Sequence, residues 1–187
     1  MKKAQAGFTI VELLIVIVVI GILAAITIVA YNGIQVRAEN AKTVSAIKAY
    51  QKGLSIYNIN NGFYPNTAIG CLGEDYPLNK CWDTSGSYIM QPALASALKT
   101  VMGSNLPMPS LTSSPNSGAI YVPITYNYTL DGIAVAWIVY AMNGSTTKCT
   151  VGPIATYTGG VAFTSPTPAS GQTVGGTSPS CWLPLSS

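Results

Sequence analysis

The chain has 187 residues, of which only 8% are charged, and it contains no histidine. With no imidazole and only six carboxylates, it lacks the usual residues of acid–base and metal chemistry, which argues against an enzyme and predicts neither a cofactor nor a bound metal. The formal net charge is +3 and falls to +1 without Lys2 and Lys3, so a single copy has no electrostatic basis for binding nucleic acid.

The N-terminal part of the sequence combines a basic start with a long apolar run. Two lysines precede Gly7, and residues 13–36 contain no charge. As a helix, residues 8–30 would extend about 35 Å, enough to cross the apolar core of a bilayer. Glu12 lies inside this run, where a carboxylate costs roughly 2.5–3.5 kcal/mol to insert and therefore indicates a function. The lysines stay on the cytoplasmic side, so the rest of the chain faces out.

The segment Gly7-Phe-Thr-Ile-Val-Glu-Leu-Leu-Ile-Val resembles the processing signal of type IV pilins and the related pseudopilins. The resemblance implies that a prepilin peptidase cuts after Gly7, and that Phe8 becomes a methylated N-terminus. It also implies that Glu12 pairs with the Phe8 amine of a neighbouring subunit, because two paired charges are far cheaper to bury than either alone. An ordinary secretory signal, the alternative, has a shorter apolar region that is cut at small residues.

After the apolar run the sequence becomes amphipathic, up to about residue 58. One helical face collects the apolar side chains of Val36, Ile47, Tyr50, Leu54 and Tyr57. The cations fall largely elsewhere: Arg37, Lys42, Lys48 and Lys52. We therefore predict one continuous helix of roughly 50 residues. It should end at the Asn-Gly-Phe-Tyr-Pro run of residues 61–65, which also resembles the segment after the long helix of many pilins and pseudopilins.

The middle of the chain predicts loops around one short helix. Residues 66–91 predict an irregular loop, and residues 103–118 predict a linker rich in proline, serine and asparagine. Between them, Pro92 to about Met102 predicts a helix with proline in its first turn.

The C-terminal part predicts an antiparallel sheet. Residues 119–142 predict a hairpin around an Asp-Gly turn, and residues 133–141 are apolar on both faces, which predicts a central strand covered by the helix. Further strands are predicted at 147–151 and 157–163, followed by a loop at 164–180. Four aromatic residues of the predicted strands are expected in the core: Tyr126, Tyr128, Trp137 and Tyr140.

Four cysteines, all outside the apolar run, predict two disulfides in an exported domain. The nearest-neighbour pairing joins Cys71 to Cys81 and Cys149 to Cys181, although three pairings are open to four cysteines. The second pair would close the C-terminal segment, as the disulfide loop of many pilins does. A zinc site is the alternative, but no Cys-x-x-Cys pair is present.

Two further patterns stay open at this level. Glu74, Asp75 and Asp83 cluster around the first two cysteines, and some pseudopilins bind calcium in a loop outside the helix. The spacing does not follow an EF-hand, so we expect solvated charges. Asn127-Tyr-Thr and Asn143-Gly-Ser fit the acceptor pattern for N-glycosylation, which the sequence alone does not decide.

The combined prediction is an α+β pilin fold, a long N-terminal helix packed on a C-terminal antiparallel β-meander. Its segments are a leader (1–7), a membrane and filament-core helix (8–30), the amphipathic half of that helix (31–60), a connecting region with a short helix (61–118) and a sheet with a disulfide-tied C-terminal loop (119–187).

The predicted function is that of a structural subunit of a type IV pilus. By resemblance, the precursor crosses the cytoplasmic (inner) membrane once, is cut by prepilin peptidase, and enters a helical homopolymer on the cell surface. A pilus assembly ATPase and its platform protein are the other implied partners. The alternatives are a pseudopilin of a type II secretion system, a minor pilin and, in a different class, a single-pass membrane-anchored extracellular binding domain.

Overall fold

The computed structural model describes residues 9–77, 80–81, 88–111, 118–144, 147, 149–151, 156–159, 162–164 and 180–185. The chain divides into two compact units, residues 1–37 and 38–187.

The long N-terminal helix is confirmed as α1, Ile10–Asn61, which contributes residues to both units. In the second unit it is amphipathic, because Ile47, Tyr50 and Leu54 are fully buried while the lysines lie on the exposed side. The helix ends at Gly62, whose φ of +80° is the left-handed conformation that favours glycine. The Gly62 amide donates a 2.7 Å hydrogen bond to the Asn58 carbonyl and so caps the last turn.

The short helix is also confirmed, as α2, Pro92–Met102. It begins at a proline, where the missing amide hydrogen costs nothing, and it buries Leu94 and Leu98. α1 and α2 approach closely at Gly53, because a Cβ at that position would lie 2.5 Å from Met102 Sδ.

The described residues contain ten strands: β1 (Gly70–Cys71), β2 (Lys80–Cys81), β3 (Tyr88–Ile89), β4 (Ala119–Val122), β5 (Thr129–Leu130), β6 (Ile133–Ala134), β7 (Ala136–Ala141), β8 (Thr156–Gly159), β9 (Ala162–Thr164) and β10 (Ser180–Leu185). The main sheet has the order β1-β4-β7-β10 and is antiparallel throughout. Strand β7 lies inside this sheet with all six residues buried, so the predicted central strand is confirmed for residues 136–141, whereas residues 133–134 form β6 in another sheet.

The predicted hairpin is present but interrupted. β4 pairs with β7, and β5 pairs with β6 around a turn in which Asp131 and Gly132 both have positive φ. A 3-10 helix at Ile124–Tyr126 separates the two parts, so the tip joins a second sheet of order β6-β5-β9-β8. β5 and β9 pair in parallel, and the sheets are therefore not a simple meander.

Several loop predictions were wrong. The predicted loop at 66–91 contains β1, β2 and β3, which have two residues each and are too short to show a period. Gly70 in β1 lies against Gln91, and a larger residue would not fit there, because an added Cβ would lie 2.7 Å from the Gln91 side chain.

The C-terminal predictions need similar correction. The described residues of the predicted strand at 147–151 form no strand, and the segment at 157–163 forms parts of two strands, β8 and β9. Residues 165–179 of the predicted loop lie outside the described residues, but residue 180 begins β10, which pairs along its full length with β7. Its Cys-Trp-Leu-Pro-Leu run does not alternate, and Pro184 is tolerated because β10 is the last strand of the sheet.

The main sheet is covered on both faces. One face packs against α1 and α2, where Tyr121, Ile138 and Tyr140 join the buried side chains of the helices. The other face holds Trp137, whose ring meets Trp182 edge to face at 6.0 Å. The expected core positions of Trp137 and Tyr140 are confirmed, Tyr128 is half-buried, and the prediction for Tyr126 was wrong because its side chain is 43% exposed.

A polar contact fixes the turn after β7 to α1. The Asn40 side chain accepts from the Asn143 amide at 2.8 Å and donates to the Asn143 carbonyl at 2.9 Å. The Asn143 side-chain amide donates to Glu39 at 2.5 Å. Asn143 is therefore buried and engaged, which makes it a poor glycan acceptor, whereas Asn127 is exposed.

Candidate processing and assembly site

Glu12 lies in the first turn of α1, where it forms a capping box with Thr9. Thr9 directly precedes the helix, and its hydroxyl oxygen accepts a hydrogen bond from the Glu12 amide at 3.2 Å. In return, Glu12 Oε2 accepts from the Thr9 amide at 2.8 Å and from the Thr9 hydroxyl at 2.7 Å. This reciprocal pair satisfies amides that a helix N-terminus otherwise leaves open.

Of the predicted processing and assembly residues, only Glu12 is described, since Gly7 and Phe8 lie outside the described residues. Thr9 is a partner of Glu12 that our sequence reasoning missed. The signal was present, because Thr9-Ile-Val-Glu12 follows the Ser/Thr-x-x-Glu spacing of a capping box. Within the described residues, the hydrogen bonds of the carboxylate all use Oε2. The second oxygen, Oε1, therefore has no hydrogen-bond partner there.

The apolar residues that follow Glu12 are exposed around the whole helix. The described large apolar side chains between Ile10 and Ile34 are between 48% and 85% exposed. Among the described residues, α1 is the one helix whose length and composition suit a membrane span. An apolar surface of this extent needs lipid or protein to cover it.

Two disulfides hold the second unit. Cys71–Cys81 joins β1 to β2 with a Cα–Cα distance of 5.8 Å, and Cys149–Cys181 joins β10 to the segment after β7 at 5.7 Å. All four cysteines are buried. This connectivity is the nearest-neighbour pairing considered above.

The acidic residues near the first disulfide do not gather into a metal centre in the described part of the chain. Glu74 forms a 2.5 Å ion pair with Lys99 of α2, and Asp75 is exposed. Asp83, the third carboxylate of the predicted cluster, lies outside the described residues.

Two buried tyrosines donate hydrogen bonds from their hydroxyl groups to backbone carbonyls of nearby loops. Tyr50 donates to the Pro107 carbonyl at 2.8 Å, and Tyr121 donates to the Pro65 carbonyl at 2.8 Å. Burial raises the pKa of both hydroxyls, so they stay protonated donors at neutral pH. They therefore anchor loops and do not offer a proton-transfer group.

The N-terminal segment matches a known motif and known relatives. Residues 2–28 match the model described as the prokaryotic N-terminal methylation motif. The chain is 39% identical over 69 residues to type II secretion system core protein G of Aeromonas hydrophila, a match covering 37% of this chain and 48% of that protein. It is 30% identical over 100 residues to type IV major pilin protein PilE1 of Neisseria gonorrhoeae, covering 54% of this chain and 44% of that protein.

A third relative is the fimbrial protein of Neisseria meningitidis, 29% identical over 102 residues, with 54% of this chain and 56% of that protein covered. The chain thus spans about half the length of the curated relatives it matches. No solved structure gave a significant match.

Proposed function

We propose that this pilin-like chain, which carries a prokaryotic N-terminal methylation motif, is a structural subunit of a type IV pilus. It would be made as a membrane-inserted precursor, cut between Gly7 and Phe8, and polymerised through the apolar part of α1. The observation that carries the proposal is a single carboxylate, held in a capping box at the start of an exposed, membrane-length apolar helix.

The chemistry of assembly follows from this placement. Cleavage creates a positively charged amine at Phe8, and burying that amine in a low-dielectric bundle of helices is costly unless an anion accompanies it. The capping box holds the Glu12 carboxylate through Oε2, and no described residue bonds to Oε1, so this second oxygen would accept a hydrogen bond from the Phe8 amine of a neighbouring subunit. The same carboxylate would then stabilise its own helix end and guide the addition of the next subunit.

The remaining requirements belong to the same proposal. Prepilin peptidase would process the precursor, and an assembly ATPase with its platform protein would extract the subunit from the cytoplasmic membrane into an extracellular filament. The protein would act as a building block and catalyse no reaction.

Two variants of Glu12 separate charge pairing from capping. Glu12→Ala removes both functions, whereas Glu12→Gln keeps an N3 side chain that still accepts from the Thr9 amide but lacks the charge. Loss of the anion leaves the buried amine uncompensated, at a cost on the order of 3–5 kcal/mol where the site is dry. We therefore expect both variants to insert and be cleaved normally but to form few or no filaments.

The measurements are filament yield by electron microscopy and precursor cleavage by immunoblot. Mass spectrometry of wild-type filaments should find Phe8 at the N-terminus with one added methyl group. Thr9→Ala is the matched control, because it weakens the cap while keeping the carboxylate, and it should assemble better than Glu12→Gln. Normal filaments from Glu12→Gln would refute the pairing mechanism, and an intact Met1 in filaments would refute the processing.

A second candidate is a pseudopilin of a type II secretion system. It is favoured by the identity of 39% to the core protein G of Aeromonas hydrophila, although that match covers only 37% of this chain. Deletion of the gene distinguishes the two functions. Loss of sheared surface filaments with normal protein secretion supports the pilus, and the reverse supports the pseudopilin.

A further inference from the structure

The outward face of α1 in the second unit carries lysines without partners in the described part of the chain. Lys48 and Lys52 are exposed, lie one turn apart on the same helical face, and form no ion pair with another described residue. Beyond Lys99 the sequence has only two charged residues. Because charged residues are rare in this chain, two neighbouring lysines on one exposed helix face are a candidate binding surface for an anionic group.

An exposed carboxylate lies in the loop after β1. Asp75 has a φ of +67° and is exposed, while its neighbour Tyr76 is buried. The Tyr76 hydroxyl donates to the Leu72 carbonyl at 2.8 Å and accepts from the Ala119 amide at 3.3 Å. The loop is therefore fixed to β4 by the Tyr76 hydroxyl, and the exposed Asp75 lies directly beside this fixed residue. Glu74 beside it is already paired with Lys99.

The loop that carries Asp75 is connected through its contacts to the side of α1 that faces away from the lysines. A Cβ on Gly73 would lie 3.0 Å from Met108 Sδ, so the loop contacts the segment that follows α2. That segment is bonded to the buried face of α1, where Tyr50 donates to the Pro107 carbonyl at 2.8 Å. At about 100° per residue, Lys48 and Lys52 each lie about 160° around the helix from Tyr50.

From this arrangement we propose that Lys48 and Lys52 of one copy contact Asp75 of a second copy. The two charged surfaces are complementary and lie on different sides of the same chain, so the contact joins unlike surfaces. Contacts of that kind do not close into a symmetric dimer, and when repeated they produce rings or, where the rotation does not close, open helical polymers. The inference rests on the proposed function, because it names one contact between subunits of the filament.

Charge reversal and restoration test the contact. A single exposed ion pair contributes little to the free energy of association. Replacing both lysines with glutamate, however, turns attraction into repulsion at each subunit addition. We therefore expect filament yield to fall about tenfold in the Lys48→Glu, Lys52→Glu double variant. Adding Asp75→Lys to that variant should restore the yield, because the charges are then exchanged. Raising the salt concentration should screen these charges and so lower the filament yield of the wild type.

Lys42→Glu is the matched control. Lys42 is exposed on the same helix but lies about 120° around it from Lys48, so the same chemical change should leave filament yield unchanged. Asp75→Asn should reproduce part of the loss, because asparagine tolerates the left-handed conformation without the charge. Precursor level and cleavage, measured by immunoblot, should be the same for all variants.

The outcomes separate this inference from the proposed function. If the wild-type chain forms no filaments, the proposed function fails. If the wild type assembles and the double lysine variant assembles equally well, only the contact is refuted. A loss that Asp75→Lys does not restore, together with weaker flotation of the variant on phosphatidylglycerol vesicles, would assign the lysines to lipid headgroups and overturn the proposal.

Discussion

The Tyr50 hydroxyl lies 2.8 Å from the Pro107 carbonyl oxygen and joins the C-terminal part of α1 to the segment that follows α2. The ring of Tyr50 is fully buried in the helix-facing core, so one side chain both packs and holds a loop. The same hydrogen bond connects the loop of Asp75 to the buried side of α1, because that loop contacts Met108, which directly follows Pro107.

Tyr50→Phe should destabilise the second unit by about 1–2 kcal/mol, because the half-buried Pro107 carbonyl loses its donor while the ring packing is kept. The measurement is urea unfolding of the cleaved chain in detergent, followed by circular dichroism. Tyr126→Phe is the control, since that side chain is 43% exposed, and it should change stability by less than about 0.5 kcal/mol. Equal effects from the two variants would contradict the role of the hydroxyl.

Asn143→Asp should destabilise the turn after β7 by about 2–3 kcal/mol, because it places a second carboxylate against Glu39 in a buried contact. The loss should be largest at neutral pH and should shrink as the pH falls and the new aspartate becomes protonated. Asn127→Asp is the matched control, because Asn127 is exposed and aspartate tolerates its positive φ. Thermal unfolding of both variants at pH 4 and pH 7 provides the comparison, and a pH-independent loss would argue against charge repulsion.

Stability should fall at alkaline pH, and Tyr140 should account for part of the fall. Burial raises the pKa of Tyr140 to about 12, because its hydroxyl is shielded from water and forms no hydrogen bond with a described residue. In the unfolded chain the hydroxyl ionises near pH 10, so above that pH the unfolded state loses a proton that the folded state keeps. The stabilisation is fully present below pH 10 and is lost as the pH rises towards 12.

Tyr140→Phe isolates this contribution. The difference in unfolding free energy between wild type and Tyr140→Phe should fall by about 1.4 kcal/mol per pH unit across this window. Denaturant unfolding at half-unit steps from pH 9 to pH 11.5 measures it, and other titrating groups cancel in the difference. A difference that stays constant with pH would mean that Tyr140 ionises as readily in the folded chain as in the unfolded one.

Both disulfides should be present in the exported protein, with Cys71 bonded to Cys81 and Cys149 bonded to Cys181. Peptide mapping without reductant checks the pairing. Cys149→Ser with Cys181→Ser should cost about 2–4 kcal/mol, since it frees the segment before β10 in the unfolded state. Free thiols in sheared filaments, or crossed pairs, would contradict the prediction.

Local chemistry was enough to predict several elements from the sequence. The uncharged run predicted the apolar half of α1, and an Asn-Gly step followed by proline predicted its end, because a left-handed glycine closes a helix in any context. Pro92 predicted the start of α2, and the Asp131-Gly132 turn predicted the β5–β6 hairpin, because both positions need positive φ. The spacing of Thr9 and Glu12 already contained the capping box, although we did not recognise it.

Only the tertiary structure decided where the short and irregular strands lie. β1 has two residues and β10 has no alternation, so neither is defined by a local pattern. Each forms because a neighbouring strand, β4 for β1 and β7 for β10, offers it hydrogen-bond partners. The same holds for Asn143, whose glycan-acceptor pattern the sequence left undecided and whose side chain and backbone are engaged by Glu39 and Asn40. The sequence by itself determined a pilin-like helix and its likeness to known signals. The contacts between distant residues, which no local pattern encodes, determined the sheet order and connected the loop of Asp75 to the side of α1 opposite Lys48.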